Sequence, residues 1–327
     1  MKVQRKLTII IVMVLLTVVA LGTSTYAWFT LNNIAKVDQI EMGITSGVGI
    51  EVSLDGNEWF NILDSDKIAD KIKDVKFESV TTSDGINMHT LDGGNAANNT
   101  YIKFDIHFRA SNVNVSENTY GIFLANYNSQ ATFANLGSGT ALKSEGVDWR
   151  PDVNYFDWDG TKQIEYKTTD ATKKYYVENS MRVSFVDRTD GTLVRLFDLN
   201  ESSNATLKRG YAQTYGETDE EKMIAYGAFS YYNIKTGSDK SLPGNATTYK
   251  DGLQLVHNDE LTVVDVNADT NNNNSLICKL SKEATSSYYI GSTELRVWAE
   301  GWDIDCFDSV LKDKIKLQLQ FQFGKVN

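Results

Sequence analysis

The chain has 327 residues, a formal charge of −11, two prolines and two cysteines. That acidity argues against nucleic acid and anionic lipid surfaces as partners, because both repel a protein of this sign. So few prolines exclude a stiff proline-rich stalk, and the length allows one elaborated domain or two smaller ones.

Lys2, Arg5 and Lys6 precede an apolar run from Leu7 to Gly22. These sixteen residues would reach about 24 Å as a helix, short of the roughly 20 residues that cross a bilayer. A basic start, a short apolar stretch and small residues at its end predict a secretory signal over 1–27. Thr25-Tyr26-Ala27 fits a cut after Ala27, and Ala20-Leu21-Gly22 fits one after Gly22. The first is preferred, which makes Trp28 the mature N-terminus. An uncleaved signal anchor is the competing reading. The expected protein is exported and meets the membrane only through its signal before cleavage. Losing three basic residues takes the charge from −11 to −14 over 28–327.

Beyond the signal the pattern is that of strands. Val48 to Leu54 alternates weakly, and Trp59 to Ile72 has the character of a short helix. Residues 83–100 form a Gly/Asn-rich loop. Residues 101–109 place Ile102, Phe104, Ile106 and Phe108 on one face and Lys103, Asp105, His107 and Arg109 on the other. Met181 to Phe185, Leu261 to Val264 and Leu295 to Trp298 are shorter strand patterns, and 314–323 repeats the strong alternation with Ile315, Leu317, Leu319, Phe321 and Phe323. Period-two alternation with one wet face marks antiparallel strands. Asp55-Gly56, Asp159-Gly160 and Asp190-Gly191 predict hairpins over 48–60, 154–166 and 183–196. Thr218-Asp219-Glu220-Glu221 reads as a capping box opening a helix through Ala228. The expected fold is all-β: an antiparallel, jelly-roll-like β-sandwich over 28–327, with a few short helices and a decorated insertion at about 145–250.

Catalytic constellations are scarce. His89, His107 and His257 are scattered, with no HExxH pair, no G-x-S-x-G elbow and no glycine-rich phosphate loop. The expectation is a protein that is not an enzyme. Asp303, Asp305 and Asp308 are the best candidate ligands for calcium, which takes six to eight oxygens; Asp157 and Asp159 are a weaker pair. No other cofactor is expected. Cys278 and Cys306 are a candidate disulfide in an oxidising exterior, with two buried thiols as the alternative. Aromatics such as Trp149, Tyr155, Trp158, Tyr175 and Tyr231 either pack inside or offer stacking surfaces to a glycan. Trp298 and Trp302 flank Gly301 and are expected to plug one end of the sandwich.

Ser24-Thr25-Tyr26-Ala27-Trp28-Phe29-Thr30 resembles the processing region of the TasA and camelysin-like family, exported proteins with a SipW-type signal peptide. Leu295-Arg296-Val297-Trp298-Ala299-Glu300-Gly301-Trp302-Asp303 resembles a segment that recurs in such proteins. The resemblance implies secretion to the surface or biofilm matrix of a Gram-positive bacterium, with cleavage between Ala27 and Trp28 by a dedicated signal peptidase. It further implies fibre assembly by donor strands, with partners that are copies of the chain or related matrix proteins. Trp28, Phe29, Leu31 and Ile34 are the expected assembly strand. The family is often described as metallopeptidases, but the usual zinc ligands are missing here. The competing function is a monomeric surface-binding module for a glycan or a protein. In that case Trp28 to Ile44 folds back as the first strand of its own sheet.

Overall fold

The computed structural model describes residues 40–46, 49–91, 93–111, 119–159, 162–188, 191, 193–200, 226–237, 255–266 and 271–326. The signal, its cleavage site at Ala27 and Trp28, and the expected assembly residues Phe29, Leu31 and Ile34 lie outside them, as does the capping box at Thr218.

In chain order the strands begin with β1 (Ile40–Ser46), β2 (Ile50–Ser53) and β3 (Ile62–Leu63), followed by helix α1 (Ser65–Ile72). β4 (Ser79–Thr81), β5 (His89–Thr90), β6 (Ile102–Ala110), β7 (Tyr120–Leu124) and β8 (Ala141–Ser144) come next. β9 (Val147–Trp149), β10 (Tyr155–Trp158), β11 (Gln163–Tyr166) and β12 (Lys173–Tyr175) form two small ribbons, β9 with β12 and β10 with β11. β13 (Met181–Asp187), β14 (Val194–Asp198), α2 (Gly227–Thr236), β15 (Leu255–His257), β16 (Leu276–Lys282), β17 (Tyr289–Glu300) and β18 (Ile315–Lys325) complete the order.

Two layers result. The first runs β3-β1-β18-β7-β16, with β8 beside β7 on the same edge of β18. The second runs β2-β6-β17-β13-β14-β15, with β4 continuing the edge of β17 where β6 stops. β16 joins the layers: Ser281 and Lys282 pair with β17, while Leu276 to Leu280 pair with β7. The expected alternation sets the packing. Ile102, Phe104, Ile106 and Phe108 of β6 and Ile315, Leu317, Leu319 and Phe321 of β18 are all buried in one core, while Lys103 and Asp105 face solvent. Phe321 meets Phe108 edge-on at 5.1 Å and Phe185 of β13 at 5.8 Å, so the rings interlock across the layers.

The strands flanking the Asp-Gly pairs come together as expected. Val52 bridges Phe60, β10 pairs with β11, and β13 pairs with β14. The turn at Asp55 has a twin. Asp55 Oδ1 accepts from the backbone of Asn57 and Glu58 at 2.8 and 3.0 Å, and Asp84 Oδ1 accepts from Ile86 and Asn87 at 2.9 and 2.8 Å. Gly56 and Gly85 take the positive φ that each turn requires, +75° and +69°.

Four expectations are corrected. The sandwich is mixed rather than purely antiparallel, because β1–β18, β14–β15 and β4–β17 are parallel pairs. Leu261 to Val264 is no strand: Val263 is 69% exposed, although Leu261 and Thr262 accept backbone bonds from Tyr127 and Asn126. The helix near Trp59 starts only at Ser65, because Ile62 and Leu63 pair with β1. The span 145–250 is not one continuous insertion, since β13 and β14 lie in the main sheet, while among the described residues β9 to β12 and α2 lie outside it.

Candidate functional site

β1 is the first described strand, and it lies on the last. Seven residue pairs run parallel from Ile40–Ile315 to Ser46–Phe321. The other edge of β18 is taken by β8 over Ile315–Gln318 and by β7 over Phe321–Lys325. On the far side of β1, β3 reaches only Ile44 and Thr45. Among the described residues no strand pairs with Ile40 to Gly43 on that side. A strand edge without a strand partner can accept another chain.

The segment Leu295 to Asp303 builds a second feature. Leu295, Val297 and Ala299 face the main core, and Glu294, Arg296, Trp298 and Glu300 face the opposite way. Val80, Met88 and Tyr101 pack on Trp298, Gly85 accepts from Arg296, Arg188 pairs with Glu294, and all four residues of that face are buried there too. Trp298 packs with Val80, Met88, Tyr101 and Leu196 in a separate cluster, which corrects its expected place as a plug of the sandwich. Trp302 instead meets Phe229 of α2 at 5.3 Å. Gly301 lies where a Cβ would come within 2.5 Å of Leu91 and 2.9 Å of Ser79, and its N–H donates to Val80 O at 2.8 Å. That close approach requires glycine between Glu300 and Trp302.

Charge gathers at the end of this segment. Arg182 of β13 is fully buried and donates to Asp303 at 2.6 Å, with Asp198 at 3.3 Å. Glu300 accepts from Trp298 Nε1 at 3.1 Å and from the Trp302 backbone at 3.2 Å. One buried guanidinium pairs with two buried carboxyls, Asp198 and Asp303, and a third, Glu300, is buried within its field. Burial pushes Glu300 and Asp303 above the usual carboxylate range, and Arg182 pulls back against it.

The sign of the pH effect follows. A carboxyl raised on folding holds its proton more tightly folded than unfolded. Its stabilising effect is complete below the unfolded value, about 4, and is lost as pH rises through the folded value. The midpoint of urea unfolding is therefore expected to fall as pH rises above the unfolded carboxyl value of about 4, and Glu300→Gln is expected to flatten that slope. A midpoint that climbs as pH rises above that value, unchanged by Glu300→Gln, would contradict the assignment.

The candidate calcium ligands are not gathered into one group. Asp303 turns inward to Arg182, and its Oδ1 accepts the Asp305 backbone N–H at 2.8 Å. Asp308 is half-buried, in the field of Lys235 and Lys312. Asp157 and Asp159 accept the backbone N–H groups of Trp158 and Lys162 at 2.8 and 2.9 Å. Among the described residues no three His, Cys, Asp or Glu side chains are grouped to hold a metal ion.

The cysteine pair is corrected as well. Both thiols are free and buried. Cys278 lies against Gly291 of β17. Cys306 sits 3.6 Å from Ser79 Oγ, and Ser79 pairs with Ala299 of β17. Gly291 and Ala299 are eight residues apart on that strand, about 26 Å at 3.3 Å per residue. A disulfide needs Cα atoms within about 7 Å.

Most of the aromatics pack together. Trp149, Tyr155, Tyr175, Tyr231 and Phe307 surround one another with ring centres 5.1–5.9 Å apart. Tyr176 is the exposed exception in that region. His89, His107 and His257 stand on β5, β6 and β15. Among the described residues no helix is long and apolar enough to cross a membrane. Comparison with protein-family models, curated proteins and solved structures gives no match.

Proposed function

We propose that the chain is an exported, non-enzymatic structural protein of the cell surface or extracellular matrix, whose copies join through the segment that begins at Trp28. The observation that carries the proposal is the edge of β1, which has no strand beside Ile40 to Gly43 among the described residues. An extended segment from a neighbour can add to such an edge, with backbone hydrogen bonds supplying affinity and alternate side chains supplying fit. Trp28, Phe29, Leu31 and Ile34 lie shortly before β1 and carry the bulky side chains for that contact. Addition of head to tail does not close on itself and yields filaments. The resemblance of 24–30 and 295–303 to the TasA and camelysin-like family supports the same role.

The second reading, a monomeric surface-binding module, is favoured by the in-register pairing of β1 with β18 of the same chain. Tyr155, Tyr231 and Phe307 of the aromatic cluster are buried and offer that module no stacking face.

Export has its own test, N-terminal sequencing of the protein recovered from the medium and cell surface of a producing Gram-positive host. The expected first residue is Trp28. Recovery only inside the cell, still beginning at Met1, would contradict the proposal.

A further inference from the structure

Three elements bring an amine, a carboxyl and a carboxamide together where the two layers meet. Lys143 belongs to β8 of the first layer. Asn200 follows β14 of the second. Glu178 stands in the 3-10 turn Val177–Ser180 that leads into β13. Lys143 Nζ donates to Glu178 Oε1 at 3.0 Å and to Asn200 Oδ1 at 3.3 Å.

Each partner is held. The second oxygen of Glu178 accepts from the Ser144 backbone N–H, and the Glu178 N–H donates to Ser144 Oγ at 3.5 Å. Asn200 Nδ2 donates to Asn179 Oδ1 at 2.6 Å, and the Asn200 N–H donates to Asp198 Oδ1 at 3.1 Å. The Lys143 and Glu178 side chains are only 18% and 11% exposed, so water competes weakly for them. The contact with Oδ1 brings Nζ next to the carbon that bears it.

The geometry points to an intramolecular amide between Lys143 Nζ and Asn200 Cγ, formed with Glu178 as general acid and base. The lysine ammonium gives one proton to Glu178, leaving a neutral amine beside a carboxylic acid. Nζ adds to Cγ, and the carbonyl electrons move onto Oδ1. Glu178 protonates Nδ2 and takes the surplus proton from Nζ. The tetrahedral centre collapses, the Cγ–Nδ2 bond breaks, and ammonia leaves as the Nζ–Cγ amide forms. Glu178 ends protonated and releases that proton to the departing ammonia as ammonium. No oxidant, reductant or co-reactant enters. Fixed partners at contact distance supply the large effective concentration that such a step needs, and a carboxyl touching the amine supplies the proton relay.

The bond would join residues 57 apart in sequence and tie one layer to the other. Like a disulfide it would restrict the unfolded chain, and it does so without a cysteine. It is independent of filament formation.

The test is the intact mass of the full chain, beside Lys143→Arg and Glu178→Gln. The wild type is expected to be lighter than its sequence by one ammonia. Its tryptic digest is expected to contain the Lys143 fragment joined to residues 196–208, which carry Asn200. Both variants are expected at full sequence mass with separate fragments. A wild type at full mass would overturn the proposal, and so would an ammonia loss with the two fragments unlinked. If either variant fails to fold, the wild-type mass and the linked fragment still decide.

Discussion

Arg182→Ala is expected to lower the free energy of unfolding by about 3–5 kcal/mol, the range for removing one partner of a buried ion pair. Arg182 is buried together with Asp198 and Asp303, and its Nη1 also donates to the Met181 carbonyl at 2.9 Å. Alanine would leave two carboxyls in a dry site with no cation beside them. They would take up protons or admit water, and either course is unfavourable at neutral pH. Arg182→Met combined with Asp198→Asn and Asp303→Asn is expected to regain part of the loss, because the cost lies in unpaired charge rather than missing volume. Urea unfolding of the single and triple variants measures both. A single-variant loss below about 1 kcal/mol would mean that water reaches the site.

The network also marks where sequence stops informing structure. β6 and β18 are legible because each has one wet face, so the pattern records the burial. In β17 the residues from Leu295 to Glu300 are buried on both faces, and Glu294, Arg296 and Glu300 look like a polar surface although the fold buries them. Arg182 reads as the wet side of a strand for the same reason. Asp303, Asp305 and Asp308 are close in sequence but do not converge, because Asp303 faces inward to Arg182. Cys278 and Cys306 look like a pair and yet meet opposite ends of β17. Lys143, Glu178 and Asn200 leave no spacing signal, since their meeting depends on three elements brought together only by the fold. The parallel pairing of β1 is invisible for a similar reason: it joins residues near opposite ends of the chain.

The second large effect concerns assembly. Deleting Trp28 to Ile34 from the mature chain is expected to abolish filaments while leaving the sandwich folded. The seven paired residues of β1 start at Ile40 and remain in place. The deletion removes only the segment proposed to reach a neighbour. Fold and assembly therefore separate in one variant, and circular dichroism of the truncated protein checks the fold directly. If the truncated protein unfolds, Trp28→Ser with Phe29→Ser removes the anchoring rings while keeping the chain length.

Electron microscopy of the purified protein beginning at Trp28, beside the variant lacking Trp28 to Ile34, tests the assembly proposal most directly. Filaments from the first and folded monomers from the second are the predicted result. Monodisperse monomers from both, at high concentration, would contradict it and leave the chain as a surface-binding module.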